Sequence, residues 1–148
     1  MAKELKLKIV TPERLVLEEM VEQVSLPTTL GEITVLPDHI PLVTGLKAGD
    51  IVARSEGEEI PMAVAGGFVE VKKNGDGSTE VAVLADFAEH VSELSEEKIE
   101  EAKKRAQELQ KQRENKEVVD FEHFEAELER SLTRVKIADK WRTRKYRK

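Results

Sequence analysis

The chain has 148 residues, with 24 Lys+Arg against 30 Asp+Glu for a formal charge of −6, and contains no cysteine. That length suits one domain of ordinary size or a small domain with an appendage. The missing thiols exclude a disulfide framework, Cys-ligated zinc or iron–sulfur sites and a thiol nucleophile.

Charges at Lys3, Glu4, Lys6 and Lys8 interrupt every apolar run at the N-terminus, so it reads as neither a signal peptide nor a transmembrane helix. All eight glycines and all five prolines lie between Pro12 and Gly77, and none occurs in the last 71 positions. These residues punctuate turns and are costly inside helices, so the chain divides into a turn-rich module, residues 1–88, and a helix-rich module, residues 89–148.

The first module contains short alternating runs: Leu5-Lys6-Leu7-Lys8-Ile9, Val21-Glu22-Gln23-Val24, Ile33-Thr34-Val35, Phe68-Val69-Glu70-Val71 and Glu80-Val81-Ala82-Val83. Alternation with period two gives each strand one core face and one wet face. Asn74-Gly75-Asp76-Gly77 predicts a tight hairpin, and Gly57 marks another turn. The pattern predicts an antiparallel β-sandwich of about 85 residues. Gly66-Gly67 superficially suggests a phosphate loop, but it leads into a strand instead of a helix, so a bulge or a close strand crossing is the better reading.

In the second module, Ser92 or Ser95 can cap a helix whose stripe is Ile99, Ala102, Ala106 and Leu109. Glu100 with Lys104 and Glu101 with Arg105 stand at i,i+4 spacing. A polar turn around Glu114–Glu117 and a cap at Asp120 precede a second stripe of Phe121, Phe124, Leu128, Leu132 and Val135. The expectation is a two-helix antiparallel hairpin on a β-sandwich, an α+β fold. Stripes this narrow bury little, so the hairpin is read as a mobile arm that needs a docking partner.

Residues 130–148 hold nine basic side chains and one acid, Asp139. Helix-dipole complementarity covers Arg134 and Lys136, but the block beyond Lys140 points to an acidic surface: protein, nucleic acid or anionic lipid. Trp141 and Tyr146 within it could stack on bases, which makes a nucleic-acid-binding module the alternative reading, without any accompanying nucleic-acid fold motif. His39, His90 and His123 have no ligand spacing, and Asp38-His39 lacks a nucleophile, so neither a metal site nor a catalytic site is predicted.

The most informative stretch runs from Leu30 to Ile51 and includes Gly31, Glu32, Leu36, Pro37, His39, Pro41, Leu42 and Gly49. The two prolines around Asp38-His39-Ile40 stiffen a projecting turn suited to docking. This segment resembles the epsilon subunit of F-type ATP synthases, the counterpart of the mitochondrial delta subunit, as do Ala65–Val71, Val81–Ala85 and Glu101–Ala106 in the same order. The resemblance implies a ten-stranded sandwich that binds gamma and rests on the membrane ring of c subunits. It implies a non-catalytic, cofactor-free rotor subunit of the central stalk that couples ring rotation to ATP synthesis. Glu32, Pro37, Asp38, His39 and Pro41 would then belong to the ring- and gamma-facing loop.

Hairpins of this family can also rise into the catalytic head and hinder hydrolysis. On that reading Arg130, Arg134, Lys136 and Lys140 are the candidate contacts with a catalytic beta subunit. The implied location is peripheral, on the cytoplasmic face of a bacterial membrane or on a plastid thylakoid, with membrane contact only through the complex and no nucleic acid. Some relatives bind ATP through an Asp and an Arg on the first helix. Alignment on Arg105-Ala106 puts Ser95 and Lys98 at those positions, so weak or absent ATP binding is expected.

Overall fold

Leu5, Leu7 and Ile9 are buried while Lys6 and Lys8 between them reach solvent, so the first alternating run forms a strand with one face in the core. The computed structural model describes residues 3–115, 121–142, 144 and 146. In chain order the elements are β1 (Leu5–Val10), β2 (Leu15–Val21), β3 (Gln23–Thr28), β4 (Gly31–Val35), β5 (Leu42–Gly45), β6 (Gly49–Ser55), β7 (Glu58–Lys73), β8 (Thr79–His90), a short 3-10 turn (Val91–Glu93), α1 (Glu96–Glu114) and α2 (Phe121–Trp141). The fold is therefore α+β, a strand module followed by two helices. β8 continues through Glu89 and His90, paired with Ala63 and Met62 of β7, so the strand module extends slightly past residue 88.

The hydrogen-bonded path is β2-β1-β8-β7-β6-β3-β4, with β5 also on β7. Two layers arise because β7 and β8 are long. The first part of β7 pairs with β6, and the part beyond Gly67 pairs with β5. Early β8 pairs with β1, and late β8 stays on β7. Side-chain parity switches between the halves. In β7 the core residues are Ile60, Met62 and Val64 and then Val69 and Val71; in β8 they are Val81, Val83 and Ala85 and then Ala88. An unbroken flat strand keeps one parity throughout, so both strands turn over near Gly66–Gly67 and pass from one layer to the other. Counting the halves separately turns eight strands into the ten implied by the resemblance.

The glycines permit that corner. Gly66 and Gly67 both have positive φ, 70° and 119°. A side chain at Gly67 would collide with the Leu84 carbonyl, and one at Gly66 with the Asp86 carboxylate. The strand-crossing reading holds, and no helix follows the pair. The expected turns are also present. Glu56 and Gly57, at φ 54° and 79°, form the two-residue link between β6 and β7. Residues 74–78 link β7 to β8, closed by Asn74 N–H to Ser78 O at 2.8 Å.

Two strand expectations need correction. The ladder between β1 and β8 is parallel, Lys6 opposite Glu80 through Val10 opposite Leu84, because the first and last strands meet without a connecting hairpin to reverse them. Val21-Glu22-Gln23-Val24 is not one strand. Val21 and Val24 are both buried although three residues apart, which period two forbids, and the chain bends at Glu22 between β2 and β3.

Ser95 caps α1 by accepting the Lys98 N–H at 3.2 Å, and Ile99, Ala102, Ala106 and Leu109 are buried as the stripe predicted. The expected i,i+4 pairs give way to others: Lys103 pairs with Glu100, while Arg105 pairs with Glu108 and, across the hairpin, with Glu127 at 2.6 Å. In α2, Phe124 and Leu128 pack on Ala106 and Leu109. The predicted stripe then departs from the structure. Leu132 is 44% exposed and Val135 half-buried, whereas Ile137, Ala138 and Trp141 are buried. The reason is a change of partner: the end of α2 packs on Ala63 of the sandwich, Val91 and Leu94 at the junction and Ile99 at the start of α1. The cap expected at Asp120 and the side chain of Phe121 lie outside the described residues. Among the described residues no helix is long and apolar enough to cross a membrane.

Replacing Gly67 by Ala should destabilise the chain by at least about 1–3 kcal/mol, since it forces an unfavourable φ and a backbone collision together. Gly75→Ala, with nothing near its added carbon, should stay within about 0.5 kcal/mol. Urea-denaturation midpoints of the two variants test the difference.

Candidate functional site

The proline-bracketed loop between β4 and β5 projects but is tied down. His39 N–H donates to Leu36 O at 3.1 Å, closing the turn, and Asp38 sits in the left-handed region at φ 70°. The Asp38 N–H donates to the buried hydroxyl of Thr79 at 2.7 Å, which fixes the loop to the start of β8. Its carboxylate bonds Lys3 and lies 3.6 Å from Lys73. The bond from Lys3 is the main cause that holds the Asp38 carboxyl below its ordinary pKa, with the nearby Lys73 charge adding to it. His39 Nδ1 lies 2.7 Å from Ile40 O, so Asp38 and His39 face different partners and form no acid–base pair. Pro37 is half-buried, Pro41 is exposed, and Ile40 at the tip is 75% exposed.

Glu32 stands apart from this loop. It lies exposed on β4 opposite Pro27 and lines a cleft with Asp50, Lys140, Trp141 and Arg144. The structure thus places the five loop candidates in two surroundings, with only Pro37, Asp38, His39 and Pro41 forming one tip.

A feature that the sequence reading missed crosses the outer face of the other layer. Phe68 of β7 pairs with Leu84 of β8, Leu84 with Val10 of β1, and Val10 with Leu15 of β2. Phe68, Leu84 and Leu15 are 64%, 61% and 52% exposed, and a groove of about 380 Å³ runs along Val10, Pro12, Phe68 and Leu84. A continuous exposed apolar row of this kind marks an interaction surface more often than chance. A signal was available: Val69 and Val71 face the core, so Phe68 shares the solvent parity of Glu70, an unusual position for a phenyl ring.

The hairpin cations mostly face the sandwich. Arg134 makes a two-point contact with Glu89, Nη2 to Oε1 at 2.7 Å and Nε to Oε2 at 3.2 Å, and lies 4.8 Å from the Phe87 ring centre. Arg130 reaches Asp86 O at 3.4 Å and the same ring. Lys140 pairs with Asp50 at 2.8 Å, and Lys136 is exposed. Between α1 and α2 a cleft of about 440 Å³ is lined by Lys98, Glu101, Arg105, Glu127, Arg130 and Arg134 among others. Arg105 and Arg134 in it are already paired to carboxylates. Among the described residues no group of three or more His, Cys, Asp or Glu side chains could hold a metal ion.

A β-sandwich carrying a docked helical hairpin is the class that this fold defines. Residues 4–91 match the model of the ATP synthase Delta/Epsilon chain beta-sandwich domain. The chain is 37% identical over 139 residues to the ATP synthase epsilon chain of Desulforamulus reducens, covering 94% of this chain and all of that one. It is 42% identical over 138 residues to that of Dehalococcoides mccartyi, covering 93% and 94% of the two chains. Its fold is also similar to a chain in the cryo-EM structure of the Euglena gracilis mitochondrial ATP synthase OSCP/F1/c-ring assembly, with TM-score 0.63, 22% identity and coverage of 92% of this chain and 81% of that one. The chain belongs to the ATP synthase delta/epsilon family, among its epsilon chains.

Asp38→Asn keeps a residue that tolerates positive φ and removes the attraction to Lys3 and Lys73. Because the folded carboxyl is held below its ordinary value, its contribution is present above about pH 3.9 and is lost as pH falls through the lower folded value. The His39 amide should therefore exchange faster in the variant at pH 7, and the two proteins should converge below that folded value. Hydrogen exchange across this pH range checks the sign.

Proposed function

We propose that this chain is a non-catalytic central-stalk subunit of a rotary, proton-translocating ATP synthase. It binds gamma, rests on the polar loops of the membrane ring of c subunits and turns with both, so that ring rotation is coupled to ATP synthesis. Its place is peripheral, on the cytoplasmic face of a bacterial membrane, and it reaches the membrane only through the complex. The observation that carries the reading is the apolar row of exposed Leu15, Leu84 and Phe68 with half-buried Val10 on a chain of this family, a surface that a rotor partner would cover. The stiff tip with Pro37, Asp38, His39 and Pro41 supplies a second contact, and Glu32 a third on another face. Torque transmission suits a tip tied to Lys3, Lys73 and Thr79, since a loose loop would absorb the load.

The hairpin adds a regulatory role. Arg130, Arg134 and Lys140 contact the sandwich when the hairpin is docked, and Lys136 is exposed. An acidic surface of a catalytic beta subunit would compete with Glu89 and Asp50 for the same cations, giving two states separated by a few kcal/mol. The hairpin then hinders hydrolysis only when released. Weak or absent ATP binding fits this picture, since Ser95 serves as a helix cap and two of the three arginines in the cleft, Arg105 and Arg134, already have carboxylate partners. The nucleic-acid reading loses one of its two stacking rings, since Trp141 is buried and offers no face to a base.

Phe68→Glu combined with Leu84→Glu should abolish co-purification with a co-expressed gamma subunit while leaving the far-UV circular dichroism unchanged. Retained binding by the folded double variant would defeat the docking face. Removing residues 91–148 should raise ATP hydrolysis by the assembled complex severalfold, and an unchanged rate would eliminate the inhibitory role.

A further inference from the structure

Trp141 is the only tryptophan of the chain and the bulkiest of its fully buried side chains. It is the last residue of α2, yet much of its surroundings comes from elsewhere: Ala63 of β7, Val91 and Leu94 at the junction and Ile99 of α1, with Val52 of β6 alongside. A buried indole N–H needs an acceptor. It donates to Asp50 Oδ2 at 2.9 Å, and the same oxygen accepts from Lys140 Nζ at 2.8 Å. The Asp50 side chain is only 12% exposed. Tyr146 meets Trp141 edge-on, with ring centres 6.2 Å apart, and lies 6.3 Å from the His90 ring, while the Arg144 guanidinium is 5.5 Å from the indole centre.

We infer that Asp50, Lys140, Trp141 and Tyr146 form a clasp that fixes the hairpin end to the sandwich, and that the Asp50 carboxylate is the group on which it closes. One oxygen serves donors from two consecutive residues of α2, so its loss strands the buried indole N–H and frees the exposed Lys140 ammonium to water. The contact between the helices cannot substitute for it. Among the described residues their own core is Ala106, Leu109, Phe124 and Leu128, and the remaining polar tether is largely Arg134 with Glu89. The clasp belongs to the chain alone and stands whichever partner the hairpin meets.

The full-length chain tests this through its single tryptophan. In Asp50→Ala the emission should move to longer wavelength and quenching by acrylamide should rise. The docked-to-released ratio should fall roughly tenfold or more, the weight of about one charge-assisted hydrogen bond. Hydrogen exchange should accelerate in residues 131–141 while β1 and early β8 keep their protection. Trp141→Phe, which keeps a ring but lacks the N–H, should loosen the same residues less. If Asp50→Ala also disturbs the sandwich, the near-isosteric Asp50→Asn decides: loosening of residues 131–141 on an intact sandwich upholds the clasp. Unchanged emission and unchanged exchange in a folded Asp50→Asn would reduce Trp141 to ordinary packing and overturn the inference.

Discussion

A strand that runs through both layers of a sandwich must turn its side chains over between them, and Gly66–Gly67 is where β7 does so. Before the corner its odd-numbered Ala63 faces outward to the hairpin; after it the even-numbered Phe68 faces outward to solvent. The same turnover therefore creates two outer faces with different fates. The layer of β6 and early β7 receives α2, while the layer of β1, early β8 and late β7 presents the apolar row. Docked hairpin and exposed apolar row are two sides of one backbone constraint. This is why the close passage of Gly67 past the Leu84 carbonyl matters beyond the local turn.

What the sequence disclosed is what short-range physics controls. Glycine and proline placement separated the modules, the glycine-bearing turns at 56–57 and 74–78 formed hairpins, and the α1 stripe was buried residue for residue. What it concealed depends on distant partners. No local pattern says that β1 lies parallel to β8, since their ladder closes over some seventy intervening residues. The α2 stripe failed after Leu128 because one helix changes partner along its length, from α1 to the sandwich, and a single helical period cannot describe two contact directions. At the candidate site the tip was legible because prolines act locally, whereas the separation of Glu32 from His39 and the alignment of Leu15, Val10, Leu84 and Phe68 required strand order.

Charge was legible only in part. The basic excess after Arg130 reads as a surface awaiting an acidic partner, and for two of its cations, Arg134 and Lys140, the sandwich itself supplies Glu89 and Asp50. Phe87 flattens beneath Arg134, so the guanidinium gains a ring face along with its two carboxylate bonds. Trp141, which reads as a nucleic-acid stacking residue by composition, is instead the main apolar anchor of the docked end.

The balance of these contacts bears on the proposal that the ordered hairpin can be released. Its docking core is small, with Ala63, Val91, Leu94, Ile99, Ile137 and Ala138 around one large ring. Burial on that scale cannot hold two helices by itself against the entropy of fixing them, so the remaining stability comes from polar pairs at the edge of the contact. Such pairs are exchangeable in a way that packed carbon is not, because a competing carboxylate offers the same arginine or lysine nearly the same bond. A larger apolar interface would make the docked state permanent, and an interface without the Asp50 and Glu89 pairs would leave the arm loose. The observed mixture fits the proposal that an outside acidic surface alters the hairpin's position without unfolding the sandwich beneath it.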